Sequence, residues 1–199
     1  MVTARQSTHV RQRQIVSAAR KLIVEYGSEH VTVRKIANEV RVSEGALYRH
    51  FKSKRDVLSF LVDDIEDTLM ADIDASTVAV GSPLDTLEQV ARNYMSSVEQ
   101  RKGVAFQVIA EIISLGDQKL NRKVYKVINK YISRIQDLLS TGIESGVVRS
   151  DIDLTATATL FFSMMQGLVN LWALSHYTFD LQSRYNSVWN VFCGAVIRR

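Results

Sequence analysis

Apolar residues recur at spacings of three and four along nearly the whole chain, the period of helices with one buried face. Ile15, Ala19, Leu22, Ile23 and Tyr26 form the first such series, and Gly27 follows where a left-handed C-cap belongs, which predicts a helix over about 11–26. Thr32 is placed to cap a second helix carrying Val33, Ile36, Ala37 and Val40. Val42 begins a break, and Ser43 caps a short helix from Glu44 to Phe51. That helix buries Leu47 and Phe51 while turning Glu44, Gly45, Tyr48 and Arg49 elsewhere. Two short helices joined by a tight turn predict a helix-turn-helix.

Ser53 and Asp56 have the spacing of a capping box, after which Leu58, Leu61, Val62, Ile65 and Leu69 mark a longer helix with acidic residues toward solvent. A loop is expected over Ala75 to Pro83, and Ser82-Pro83-Leu84-Asp85 predicts a second capping box with proline at the first helical position. Helices follow to about Ser97, from Val104 to Ser114 and from Gln118 to about Ser145, separated by a polar break at Gln100 to Gly103 and by Gly116-Asp117. No Asp, Glu, Lys or Arg occurs from Leu154 to Phe179, the length of a membrane span. Thr155, Thr157, Thr159, Ser163, Gln166 and Asn170 argue instead for a helix buried against protein. The last helix, about 181–197, carries an aromatic stripe including Tyr185, Trp189 and Phe192, flanked by small residues. All nine predicted elements are helices, so the expected class is all-α.

Composition agrees: 1 Pro and 9 Gly are few for a many-turned β fold, and 46% hydrophobic residues are enough for a core. Cys193 is the single cysteine and fits a reducing cytoplasm; the basic amino terminus has no apolar signal core. Charge is asymmetric. Residues 1–56 hold twelve Lys and Arg against five Asp and Glu, a surplus of seven, which leaves the rest at −3 within a total of +4. One end is thus suited to a polyanion. The expected division is a DNA-binding domain over 1–56 and a larger helical domain over 57–199.

The stretch from Val31 to Leu58, VTVRKIANEVRVSEGALYRHFKSKRDVL, resembles the DNA-binding segment of the TetR family of transcriptional regulators. The resemblance rests on Thr32, Ile36-Ala37, Val42-Ser43, Leu47-Tyr48, His50-Phe51 and Lys54. It implies that Thr32, Ser43, Tyr48, His50 and Lys54 hold the DNA backbone, with Ser53 equally placed as a structural cap. Helix N-termini, with unpaired N–H groups and a positive dipole end, suit phosphate oxygens. Base reading falls to the outward face of the short helix: Glu44 toward cytosine, Gly45 for close approach, Ala46 toward a thymine methyl, Arg49 toward guanine or phosphate. The family commonly has glycine where Arg41 stands, so a positive φ there implies strain; Arg41 is also a candidate phosphate contact.

The resemblance further implies dimerisation and small-molecule binding, with the effector unidentified. Aromatic and methionine content beyond one helix seam assigns a pocket to Tyr94, Met95, Phe106, Ile109, Ile113, Tyr125, Phe162, Met165, Gln166 and Trp172, with Glu111, Asn129 and Asn170 as further polar positions. An ordinary packed core is the competing account of those residues. Two apolar faces on the helix near 154–175 and small residues on the last helix assign a dimer interface to Gly167, Leu171, Trp189 and Gly194. No His, Cys or carboxylate spacing calls for a metal, and nothing calls for another cofactor.

The leading reading is a cytoplasmic, ligand-responsive transcriptional regulator, read as a repressor. It binds a palindromic double-stranded DNA operator as a homodimer and is released by a mainly hydrophobic small molecule, with no membrane partner. A second reading is a helical small-molecule or lipid carrier whose basic end docks on anionic membrane. An enzyme is disfavoured, since no nucleotide loop, G-x-S-x-G or acid and base pair is evident.

Overall fold

The computed structural model describes residues 8–77 and 81–197. Arg5, part of the basic surplus, lies outside them. The described elements in chain order are α1 Thr8–Tyr26, a 3₁₀ turn Ser28–His30, α2 Val33–Glu39, α3 Glu44–Tyr48, α4 Lys54–Thr77, α5 Pro83–Gln100, α6 Val104–Leu115, α7 Gln118–Glu144, α8 Leu154–Leu174 and α9 Leu181–Val196. The chain divides into two compact units, 1–65 with 104–124, and 66–103 with 125–199. α4 and α7 each run as one continuous helix from the first unit into the second.

In the first unit α1 packs on α2, α6 and the 3₁₀ turn, and α2 packs on α3. Ile15, Ala19, Leu22, Ile23, Ile36, Ala37, Leu47 and Phe51 are buried, and Phe51 meets Phe60 edge-on at 5.0 Å. Each large side chain withdrawn from water contributes about 1.5–3 kcal/mol, which sets the register of the two short helices. α3 is shorter than its apolar spacing predicts. It ends at Tyr48, and the amides of His50 and Phe51 both donate to the Leu47 carbonyl, at 2.8 and 3.0 Å. One closing turn on the Leu47 carbonyl, not continued as helix, thus delivers Phe51 to the core.

α4 is longer than predicted, continuing through Thr77. Ser76 is fully buried; its hydroxyl donates to the Asp72 carbonyl at 2.7 Å and accepts from Asn93 Nδ2 at 3.0 Å. These bonds hold the final turn where Ala75 and Ser76 alone read as loop. The Ser53 box is also modified: Ser53 Oγ accepts from the Asp56 amide, but the Asp56 carboxylate accepts from the Lys52 amide, one residue early. At α5 the box is complete, with Ser82 and Asp85 capping one another.

In the second unit α5, α8 and α9 pack together. Tyr185, Trp189 and Phe192 line the inner face of α9, and Phe161 meets Trp189 and Phe192 edge-on. Trp189, expected at a dimer interface, is only 6% exposed and packs inward, because the aromatic stripe needs the large hydrophobic wall that Phe161 supplies. Gly142, inside α7, allows the following chain to pass close: a Cβ there would lie 2.6 Å from Val148 Cγ2. α8 is long and apolar enough to cross a membrane by length and composition. One of its faces, with Ala158, Phe161, Met165, Leu168, Val169 and Trp172, is buried in this unit.

Candidate nucleic-acid interface and effector core

The helix-turn-helix presents its expected face. The Thr32 and Ser43 hydroxyls accept the Lys35 and Ala46 amides, each at 3.2 Å, so both act as N-caps and hold the starts of α2 and α3. Thr32, Arg41, Ser43, Glu44, Gly45, Tyr48 and Arg49 are exposed, while Ala46 and His50 are half-buried. A Cβ on Gly45 would meet nothing within 4 Å, so the start of α3 is open to a bulky partner. Glu44 lies 3.9 Å from Arg34 across an exposed gap. Arg41 has φ 54°, the left-handed conformation glycine takes without strain; an arginine holds it here with its amide bonded to the Asn38 carbonyl at 3.1 Å.

Lys54 is engaged inward. Its Nζ lies 2.7 Å from Glu111 Oε1 and donates to the Ser28 carbonyl at 2.9 Å, while the Ser28 hydroxyl donates to Glu111 Oε2 at 3.3 Å. Glu111, a candidate ligand-orienting group by sequence, is therefore committed to a structural ion pair. Arg20 with Asp64, Arg55 with Asp117 and Lys123 with Asp63 add ion pairs of 3.1, 3.1 and 2.7 Å in the same unit. The Lys54 and Glu111 partners stand 57 positions apart, and no sequence pattern links them.

The residues assigned to an effector pocket separate. In the second unit Tyr94, Met95, Met165 and Trp172 are buried, Phe162 and Gln166 are half-buried, and Gln166 Nε2 donates to the Tyr94 hydroxyl at 2.8 Å. Tyr125 is 66% exposed, and Asn129 and Asn170 are also exposed. Phe106 and Ile109, half-buried, and Ile113, 66% exposed, belong to the first unit. Tyr131 was missed by sequence. It is 1% exposed, with the rings of Tyr94 and Phe162 at 6.5 and 5.9 Å. Burial, followed by the field of Asp72, holds the Tyr94 hydroxyl well above its ordinary pKa despite the Gln166 bond. It stays protonated.

Gly167, Leu171 and Gly194 lie exposed, together with Leu160, Leu174 and Val191. On α8 these positions, 160, 167, 171 and 174, stand seven, four and three apart, a second apolar stripe opposite the buried one. A Cβ on either glycine would meet nothing within 4 Å.

Residues 15–59 match the bacterial regulatory proteins of the tetR family, and residues 58–195 match the C-terminal region of YsiA-like proteins. The chain belongs to the TetR family. It is accordingly a transcriptional regulator. The fatty acid metabolism regulator protein of Bacillus subtilis is 23% identical over 183 residues, spanning 92% of this chain and 94% of the relative. The nucleoid occlusion factor SlmA of Alteromonas mediterranea is 24% identical over 186 residues, spanning 92% and 93%. Among solved structures, FadR of B. subtilis in complex with stearoyl-CoA aligns with TM-score 0.82 and 23% identity over 91% of this chain and 97% of that one. The ketosteroid regulator KstR2 of Mycobacterium tuberculosis aligns with TM-score 0.73 and 20% identity, covering 95% and 96%. These likenesses extend the TetR fold over both units of the chain.

Proposed function

We propose that this TetR-family regulator is a repressor that grips a palindromic operator as a homodimer and releases it when a mainly hydrophobic small molecule enters the core of its second unit. The observation that carries the reading is the open amino-terminal face of α3, bare at Gly45 and flanked by Ala46 and Arg49. Glu44, Gly45, Ala46 and Arg49 are the base-reading set; Thr32, Arg41, Ser43, Tyr48 and His50 position the backbone. Lys54 is assigned to the ion pair with Glu111 instead. One monomer reads a half-site, and two-fold pairing through the exposed stripe of Leu160, Gly167, Leu171 and Val191 supplies the second.

The effector we favour is a long acyl group carried as a thioester, since a fold relative was solved with stearoyl-CoA and another is a ketosteroid regulator. α4 starts at Lys54 beside the reading helices and continues to Thr77, so an effector that favours one position of its far half biases the other. The residues of 1–56 bind DNA, those of 57–199 bind effector and partner, and the protein works in the cytoplasm on chromosomal DNA without catalysing a reaction. The carrier reading leaves the open face of α3 without a purpose.

The test is selection of duplexes from a random pool, followed by affinity measurement on the winner with and without lauroyl-CoA and stearoyl-CoA. A palindromic winner whose binding weakens as acyl-CoA is added supports the proposal. Binding indifferent to sequence, or tight operator binding unaffected by acyl-CoA, ketone or sterol probes, overturns the DNA or the effector part respectively.

A further inference from the structure

The hydroxyls of Tyr131 and Tyr185 are buried with no hydrogen-bond partner among the described residues. Tyr131 matters more, because its ring stands 6.5 Å from that of Tyr94, a second buried phenol. A buried phenol that has left water without gaining an acceptor weakens the fold, and such a group persists where something else uses it. Tyr94 stands nearby on α5, its hydroxyl accepting from Gln166 and keeping its own proton. Two neutral O–H donors thus occupy one apolar layer with Phe162 between α5, α7 and α8.

We propose that Tyr131 and Tyr94 form the polar end of the effector site and select a neutral carbonyl, as in a ketone, ester, lactone or thioester, over a free carboxylate; this rests on the effector reading above. A carbonyl oxygen has two lone pairs and no proton, which matches two donors. The charges bearing on this position discriminate further. Asp72 acts on both tyrosines, and the other groups acting on Tyr131 are the phenols of Tyr94 and Tyr185. A carboxylate entering here meets the like charge of Asp72 and sheds its water, whereas a carbonyl keeps both hydrogen bonds without that repulsion.

The experiment measures binding of 2-tridecanone, dodecanoate and undecylbenzene to the full chain by tryptophan fluorescence, near neutral pH, in the wild type and in Tyr131→Phe and Asp72→Asn. The ketone is expected to bind about tenfold more tightly than dodecanoate, and Tyr131→Phe to lose about tenfold for the ketone with undecylbenzene unchanged. Asp72→Asn should narrow the gap between ketone and carboxylate. Dodecanoate binding as tightly as the ketone in the wild type, or ketone binding indifferent to Tyr131→Phe, overturns the carbonyl site while leaving a hydrophobic effector in place. If none of the three probes binds, nor any acyl-CoA, the effector reading fails and the carbonyl site with it. Tyr131→Phe keeps the ring and removes only the hydroxyl, so an intact melting transition separates loss of binding from loss of fold.

Discussion

The Lys54 ammonium sits 2.7 Å from the Glu111 carboxylate, joining the first turn of α4 to α6 across 57 positions of sequence. The pair is partly buried, with side-chain exposures of 30% and 12%, and the Ser28 carbonyl shares the same ammonium. The family resemblance implies a phosphate contact for this lysine, and in the structure its ammonium is held by Glu111 and the Ser28 carbonyl. It ties the segment that carries the reading helices to a helix from the middle of the chain.

Removing either partner leaves the other charge poorly compensated. Lys54→Ala and Glu111→Gln should each lower stability, by about 2 kcal/mol for the lysine, measured by denaturant unfolding. Because Nζ faces Glu111, Lys54→Ala should leave the salt dependence of operator binding unchanged once folded protein is compared. A fall of about one unit in that slope returns Lys54 to the phosphate contacts.

The exposed face of α3 predicts two kinds of DNA-binding variant. Tyr48→Phe should weaken good and poor sites alike, since a lost phosphate bond carries no sequence information. Arg49→Ala and Ala46→Ser should change the bases recovered by selection, with a preference of about 1–3 kcal/mol lost at one position for a bidentate arginine contact. Unchanged selection profiles for both remove them from the reading face.

Leu171 and Val191 are 53% and 76% exposed, so a charge at either is solvated in the monomer. Leu171→Arg or Val191→Arg should yield a folded monomer by sedimentation, with operator affinity lost because one half-site alone is gripped. Dimeric variants of unchanged affinity move the interface elsewhere.

Burial raises the Asp72 carboxyl above its ordinary pKa, opposed by the Ser97 hydrogen bond and the field of Arg101. A folded value above the unfolded one means that ionisation weakens the fold: the favourable contribution is present at acid pH and is lost as pH rises from the unfolded value through the folded one. Asp72→Asn should therefore melt above the wild type near neutral pH, and the difference should shrink as pH falls into the carboxylate range. A variant that melts lower at neutral pH shows the Ser97 bond to the carboxylate outweighing its desolvation.

Helix identity and most helix ends are local, and they were legible in the residues alone. Thr32, Ser43 and Ser82 cap because an oxygen three residues before an unpaired amide is within reach whatever surrounds it, and Gly146, at φ 75°, stops α7 by its own backbone freedom. The outward residues of α3 were readable for the same reason, since Leu47 and Phe51 fix the inward side. Packing between distant segments decided the rest. The sequence assigns Ile113 and Tyr125 to a pocket and Trp189 to an interface, yet the first two are exposed and the third turns inward, while Tyr131, which it does not single out, is buried. Periodicity says that a helix has an apolar face. It does not say which other helix covers that face, because burial depends on surfaces brought together from tens of residues away, and the Lys54–Glu111 pair exists only where that assembly places α6 beside the start of α4.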